Sequence, residues 1–251
     1  MGVSDLFNGI AVVIDDEIGV DGKNINNLID QIAGRKMPCI SYKSLPDDDS
    51  ICHFEGVSFI LLDWELQSED LSVPIQDRPT LPATLSEFNI NENIEFLKKL
   101  KELFFMPIFI FTNLNTDGII EKLKENGLYQ DDQPNLIFVR RKSDLTGSVR
   151  LFREIESWIV KVPSIYVLKE WDREYRRAKN RLFSDFYALN HSWPKILWKS
   201  YVEDGCNMSQ ELGEIITKNL HTRMTPFSFD ESTLTKRGKR IPKNEIRKVL
   251  E

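Results

Sequence analysis

Four apolar runs in this chain end on residues able to hold a charge or an oxygen. "IAVVIDDE", residues 10–17, ends on Asp15, Asp16 and Glu17. "FILLDWEL", residues 59–66, ends on Asp63. "IFIFTN" ends on Thr112, and "IFVRRK" ends on Arg140, Arg141 and Lys142. Three carboxylates brought into one crevice repel one another and raise one another's proton affinity, so such a site calls for a positive occupant. A hard divalent cation with oxygen ligands suits them, and Mg²⁺ typically takes a few carboxylates and keeps several waters. A hydroxyl and a cation opposite would suit a phosphoryl group bound beside that metal. Phosphoryl transfer asks mainly for positioning and charge neutralisation, and a carboxylate can itself be the nucleophile.

The elements that must bring these tips together follow from the pattern. Residues 10–15 and 57–63 are continuous Val/Ile/Leu-rich runs, as in strands buried on both faces of a parallel sheet. Further strands are expected in "MPCISYKSL", "MPIFIFTN" and "NLIFVRRK". Between them lie amphipathic stretches. Ile25, Leu28, Ile29 and Ile32 form one stripe, with Gly34 as a stop. Ile90, Ile94, Leu97, Leu100 and Phe104 form another. "DGIIEKLKENGL" and "LTGSVRLFREIESWIVKV" supply two more helices. Strand and helix alternate five times, which predicts a parallel sheet wrapped on both faces by helices. Ligands of such sheets sit outside the carboxyl ends of the strands, where the strand order reverses. The stretch from about 67 to 89 has several prolines and little periodicity, and reads as a long insertion, mobile or partner-bound.

Residues 163–251 read as a separate α-helical region ending in a basic tail over about 235–251. Leu168, Trp171, Tyr175, Ala178, Leu182 and Leu189 alternate at spacings of three and four, interrupted by Asp185. The stripe is expected to bury against a neighbouring helix, a second copy or an effector, through residues 164–220. The net charge of −6 gives no reason to expect a nucleic-acid partner. The three cysteines, Cys39, Cys52 and Cys206, lack metal-ligand spacing and a disulfide framework, and are assigned to packing. His53, His191 and His221 are too scattered to form a ligand set. No apolar run is long enough to span a membrane, and a cytoplasmic protein is expected. The last residues still read as a helix in progress, so the chain is treated as a possible fragment.

Taken in order, "VVIDDE", "FILLDW", "IFIFTN" and "FVRRK" resemble the receiver domain of two-component response regulators, over roughly residues 8–160. The resemblance implies a flavodoxin-like α/β fold with five parallel strands in the order 2-1-3-4-5, over residues 1–162. It implies a signalling protein rather than an enzyme, phosphorylated on Asp63 by a histidine kinase within a phosphorelay. Asp15 and Asp16 would be the Mg²⁺-binding pair, with Asp63 and the Glu65 carbonyl as further ligands. Thr112 would be the hydroxyl that moves toward the phosphoryl group, and Lys142 the lysine that pairs with it. The chain departs from the family pattern at several points. Ser143 stands where proline usually follows the lysine, which leaves Arg140 and Arg141 open as the pairing cation. Val139 occupies the usual aromatic position, Asn113 replaces a small residue, and the insertion replaces a short loop. A variant receiver class with such an insertion and a helical extension, found in prokaryotic phage-defence gene clusters beside histidine-kinase-like ATPases, is the narrower resemblance. Two alternatives stand beside it. One is a degenerate receiver that binds partners without phosphorylation. The other is a haloacid-dehalogenase-like phosphatase using a first-strand Asp15, with Glu17 as second acid and Asp144 further on.

Overall fold

The computed structural model describes residues 6–7, 9–66, 83–145, 151–159 and 161–224, with backbone alone at 83–88 and 145. The chain divides into two compact units, Met1–Val162 and Pro163–Glu251.

The first unit is a five-stranded parallel sheet: β1 Ile10–Ile14, β2 Cys39–Tyr42, β3 Val57–Asp63, β4 Ile108–Thr112 and β5 Ile137–Arg141. The strand order is β2-β1-β3-β4-β5, the flavodoxin-like arrangement. The chain reverses its direction of winding between β1 and β3, so their carboxyl ends frame a crevice. Helices α1 (Asn24–Gly34), α2 (Asp48–Ile51), α3 (Ala83–Leu103), α4 (Thr116–Glu125) and α5 (Leu151–Ile159) connect and cover the strands.

Alternate residues of each strand enter two different cores, as the period of two requires. One face is aromatic: Phe7, Phe59, Phe109, Phe138 and Trp158 meet edge-on or tilted at centroid distances of 5.3–6.5 Å, a favourable geometry for ring quadrupoles. The other face is aliphatic. Val12, Ile14, Ile60, Leu62, Ile108 and Ile110 pack against Ile94, Leu97, Leu100, Ile119 and Leu123 from α3 and α4. All of β3 and β4 is buried, so their polar end residues, Asp63 and Thr112, are held in the wall of the crevice.

Helix α3 begins at Ala83, so residues 83–89 are helical and the insertion is shorter than the sequence pattern suggests. The reason is visible one turn further on. Positions 89 and 93 face inward but are asparagines, and they break the apolar period. Asn93 Nδ2 donates to the Trp64 carbonyl (2.9 Å) and Asn89 Nδ2 to the Leu66 carbonyl (3.2 Å). They satisfy backbone left unpaired where β3 ends. Residues 67–82, where the expected mobility of the insertion falls, lie outside the described residues.

The second unit contains α6 (Pro163–Leu189), α7 (Trp193–Glu203) and α8 (Met208–Met224). The expected apolar stripe on α6 is split: Ala178 and Leu182 are buried, but Leu168, Tyr175 and Leu189 are 46–69% exposed. The buried stripe instead runs through Ile165, Lys169, Glu170 and Arg173. These charges are tolerated because they are paired: Arg173 Nη2 lies 2.5 Å from Glu170 Oε2, and Lys169 Nζ lies 3.6 Å from Asp172. Asp185, which interrupts the stripe in the sequence, forms an ion pair with Arg223 of α8 at 2.6 Å. Cys52 and Cys206 are exposed free thiols, so the packing role expected of the cysteines does not apply to those two. No helix among the described residues is long and apolar enough to cross a membrane. The basic tail lies outside the described residues.

Candidate functional site

Register brings the tips together. Ile14 pairs with Leu62 across β1 and β3, so Asp15 follows β1 directly beside Asp63. Asp63 pairs with Phe111, which places Thr112 next along the β4 edge. Thr112 pairs with Arg141, so Lys142 emerges from β5 at the same level. The carboxylates of Asp15, Asp16 and Asp63 are buried, and one oxygen from each falls within 4.8 Å of the others.

Lys142 is the cation that reaches them. Its Nζ donates to Asp63 Oδ2 (2.6 Å) and to Asp15 Oδ2 (3.1 Å). Arg140 turns elsewhere, with Nε 3.7 Å from Glu154 and its guanidinium over the Phe138 ring. Arg141 is exposed. Asp63 Oδ1 accepts from the Glu65 backbone N–H (3.1 Å), and Asp15 Oδ1 accepts from the Glu17 N–H (2.8 Å). Each acidic tip therefore bends into a tight turn around its own carboxylate.

The electrostatics follow from burial. Desolvation pushes the Asp63 carboxyl up to about 7, helped by the nearby Asp15 charge and opposed by Lys142 and the Glu65 N–H. Desolvation works against the Lys142 ammonium too, but the attraction of Asp63 and Asp15 outweighs it and holds the group above its ordinary value. Three carboxylates thus face one ammonium. The residual negative charge is what one divalent cation would cancel, and an all-oxygen donor set suits a hard ion such as Mg²⁺ or Ca²⁺.

A cavity of about 320 Å³ opens beside this cluster, walled by Asp15, Asp63 and Lys142, by Phe111, and by Asn24, Asn27 and Gln31 of α1. It leaves open space in front of the Asp15 and Asp63 side chains.

No family model matches this chain, and no curated protein matches it. Among solved structures it is similar to a fusion carrying a yeast Spc42 trimeric coiled coil, at 11% identity and TM-score 0.37, covering 69% of this chain and 96% of that one. It is also similar to a response regulator from Burkholderia pseudomallei with a phosphorylated aspartic acid, calcium ion and citrate. That likeness is 10% identity and TM-score 0.31, covering 60% of this chain and 72% of that one. Likenesses this remote add nothing to the geometry of the strand tips.

The remaining residues singled out in the sequence are placed as follows. Glu17 pairs with Lys23 and lies outside the carboxylate cluster. Asp144 is exposed. Val139 packs in the aliphatic core, while Phe138 lies on the opposite, aromatic face against Phe109 and Trp158. The position usually aromatic in receivers therefore carries no ring. The side chain of Glu65 was not anticipated. Its Oε2 accepts from the Asn113 backbone N–H (2.6 Å) and from the Thr112 hydroxyl (3.3 Å). Thr112 Oγ1 in turn accepts from the Leu114 N–H (3.0 Å). Only the register of β3 on β4 brings position 65 to position 113, and no local sequence pattern marks it.

Proposed function

We propose that this chain is a phosphorylation-controlled signalling protein that accepts a phosphoryl group on Asp63. The donor would be the phosphohistidine of a histidine kinase or histidine-kinase-like ATPase, and Mg²⁺ would be held by Asp15, Asp16 and Asp63, with the Glu65 carbonyl as a further ligand. The observation that carries this reading is the bridge from Lys142 Nζ to both Asp63 and Asp15 at the mouth of a buried three-carboxylate cluster.

An Asp63 carboxylate oxygen attacks phosphorus as the phosphorus–nitrogen bond breaks, and the electron pair and a proton go to the departing imidazole. Lys142 exchanges its contact with Asp63 for the incoming phosphoryl oxygens, a charge-assisted pairing. Bound Mg²⁺ supplies neutralisation of the carboxylates and of the phosphoryl oxygens. Asp63, rather than either member of the pair, is assigned as the nucleophile: Asp63 and Asp15 both line the adjacent cavity, but Asp63 makes the shorter contact with Lys142 (2.6 against 3.1 Å), the cation that would receive the phosphoryl oxygens. The helical second unit, with Leu168, Tyr175, Ile196 and Trp198 exposed, is the region through which output to a partner or second copy would pass.

Two observations weigh on the alternatives. A first-strand phosphatase would need Glu17 at the cluster, whereas Glu17 is engaged by Lys23. A degenerate receiver draws support from the Glu65 carboxylate, which holds the Thr112 hydroxyl and the Asn113 N–H. Intact mass after incubation with Mg²⁺ and acetyl phosphate separates the readings. A gain of one phosphoryl group that chelator abolishes is the expected result. Steady release of phosphate without a labelled protein would favour the phosphatase, and neither labelling nor turnover the degenerate module.

A further inference from the structure

The tip of β4 presents two donors toward the acceptor side of the sheet, the Thr112 hydroxyl and the Asn113 backbone N–H, and both are aimed at one carboxylate oxygen of Glu65. Asp63 pairs with Phe111, so these donors lie one and two residues past the β4 partner of the acceptor. Glu65 is itself tied to the acceptor through its N–H to Asp63 Oδ1. Two convergent donors at the end of a strand form a small anion site, and here an anion from the chain's own β3 end fills it. From this geometry, and resting on the phosphoacceptor reading above, we infer that Glu65 is a resident competitor for the phosphoryl group. Its carboxylate occupies the β4 donors in the unphosphorylated protein and is displaced when Asp63 carries a phosphoryl group.

Two forces drive the exchange. A phosphoryl group offers several strong acceptor oxygens to the same donors. It also places negative charge near the Glu65 carboxylate, at a range where like charges repel appreciably in a partly buried setting. Displacement would release a tether between the ends of β3 and β4. That gives the site a two-state element of its own, where the family's aromatic position holds Val139. The ligand class is a tetrahedral oxyanion with Mg²⁺, and Glu65 sets how tightly it binds and how completely it is received.

The test uses the full chain and its Glu65→Gln and Glu65→Ala variants, with Mg²⁺ and beryllium fluoride as the phosphoryl mimic. Two quantities are read: the affinity for the mimic, and the exchange rate of the Asn113 amide hydrogen before the mimic is added. The expected results are a slow Asn113 amide in the parent, a faster one in Glu65→Ala, and mimic affinity raised roughly fivefold to tenfold in both variants, about what removing one competing hydrogen bond of ordinary strength would yield. Parent binding with unchanged or weaker affinity in both variants would overturn the competitor role and leave the phosphoacceptor reading standing. Failure of all three proteins to bind would overturn the phosphoacceptor reading and the inference with it. An Asn113 amide unaffected by Glu65→Ala would show that the tether itself does not exist in solution.

Discussion

The sheet unit and the helical unit handle charge in opposite ways. In the sheet, the interiors of β1, β3 and β4 are buried and, apart from Ser58, apolar, and carboxylate or hydroxyl side chains appear where these strands end. In α6, the buried stripe holds Lys169, Glu170 and Arg173 while Leu168, Tyr175 and Leu189 face outward. A parallel strand buried on both faces has no other place for a carboxylate, so its polar end is informative. A long helix can neutralise charges between its own turns, so its polar and apolar residues need not sort by burial. Chemistry is therefore concentrated and readable in the first unit, and spread through paired contacts in the second.

That contrast can be broken by mutation. Phe109→Ala, at the centre of the aromatic face, should cost about 3–5 kcal/mol, whereas Leu189→Ala, 69% exposed on α6, should stay within about 0.5 kcal/mol. Comparable losses in chemical denaturation would mean that α6 is as tightly packed as the sheet. Asn93→Ala should come next. It leaves the Trp64 carbonyl, at the turn just beyond Asp63, without its buried donor, at about 1–3 kcal/mol. A neutral result would show that water reaches that carbonyl.

A smaller effect should follow pH. The Asp63 carboxyl is raised by burial to about 7 in the folded protein, against about 4 unfolded. The folded state then holds the extra proton, so this group's contribution to stability is present below about 4 and lost as pH rises toward and through 7. A divalent cation competes with that proton. The rise in Tm on adding Mg²⁺ should therefore be larger at pH 8 than at pH 6, and an equal rise at both would detach the cation from Asp63. Smallest of all, Asp185→Asn should change stability by about 0–1 kcal/mol, because its ion pair with Arg223 is solvent-exposed on the Asp185 side.

The strand tips were legible because each rule that locates them is local. A Val/Ile/Leu run ends, a charged or hydroxyl residue follows, and parallel order brings the ends to one edge. That reasoning finds Asp15, Asp16, Asp63, Thr112 and Lys142, but it leaves three adjacent cations undecided. Arg140 is removed by its contacts with Glu154 and Phe138, which belong to packing and not to pattern. The start of α3 was hidden because Asn89 and Asn93 occupy inward positions to satisfy backbone carbonyls. The Glu65 contact was hidden because it is a tertiary pairing across 48 residues. The apolar stripe of α6 misled because burial there follows ion pairs that hydropathy does not register.

The most direct measurement is the mass of the intact chain and of its Asp63→Asn variant after exposure to acetyl phosphate, each with Mg²⁺ and with excess chelator, followed by peptide mapping of any label. If Asp63 is the acceptor, the parent gains one phosphoryl group mapped to Asp63, Asp63→Asn gains none despite an unchanged fold, and neither gains any when the metal is removed. A label that persists in Asp63→Asn, that maps to Asp15 or Asp16, or that forms equally well in chelator would contradict that role.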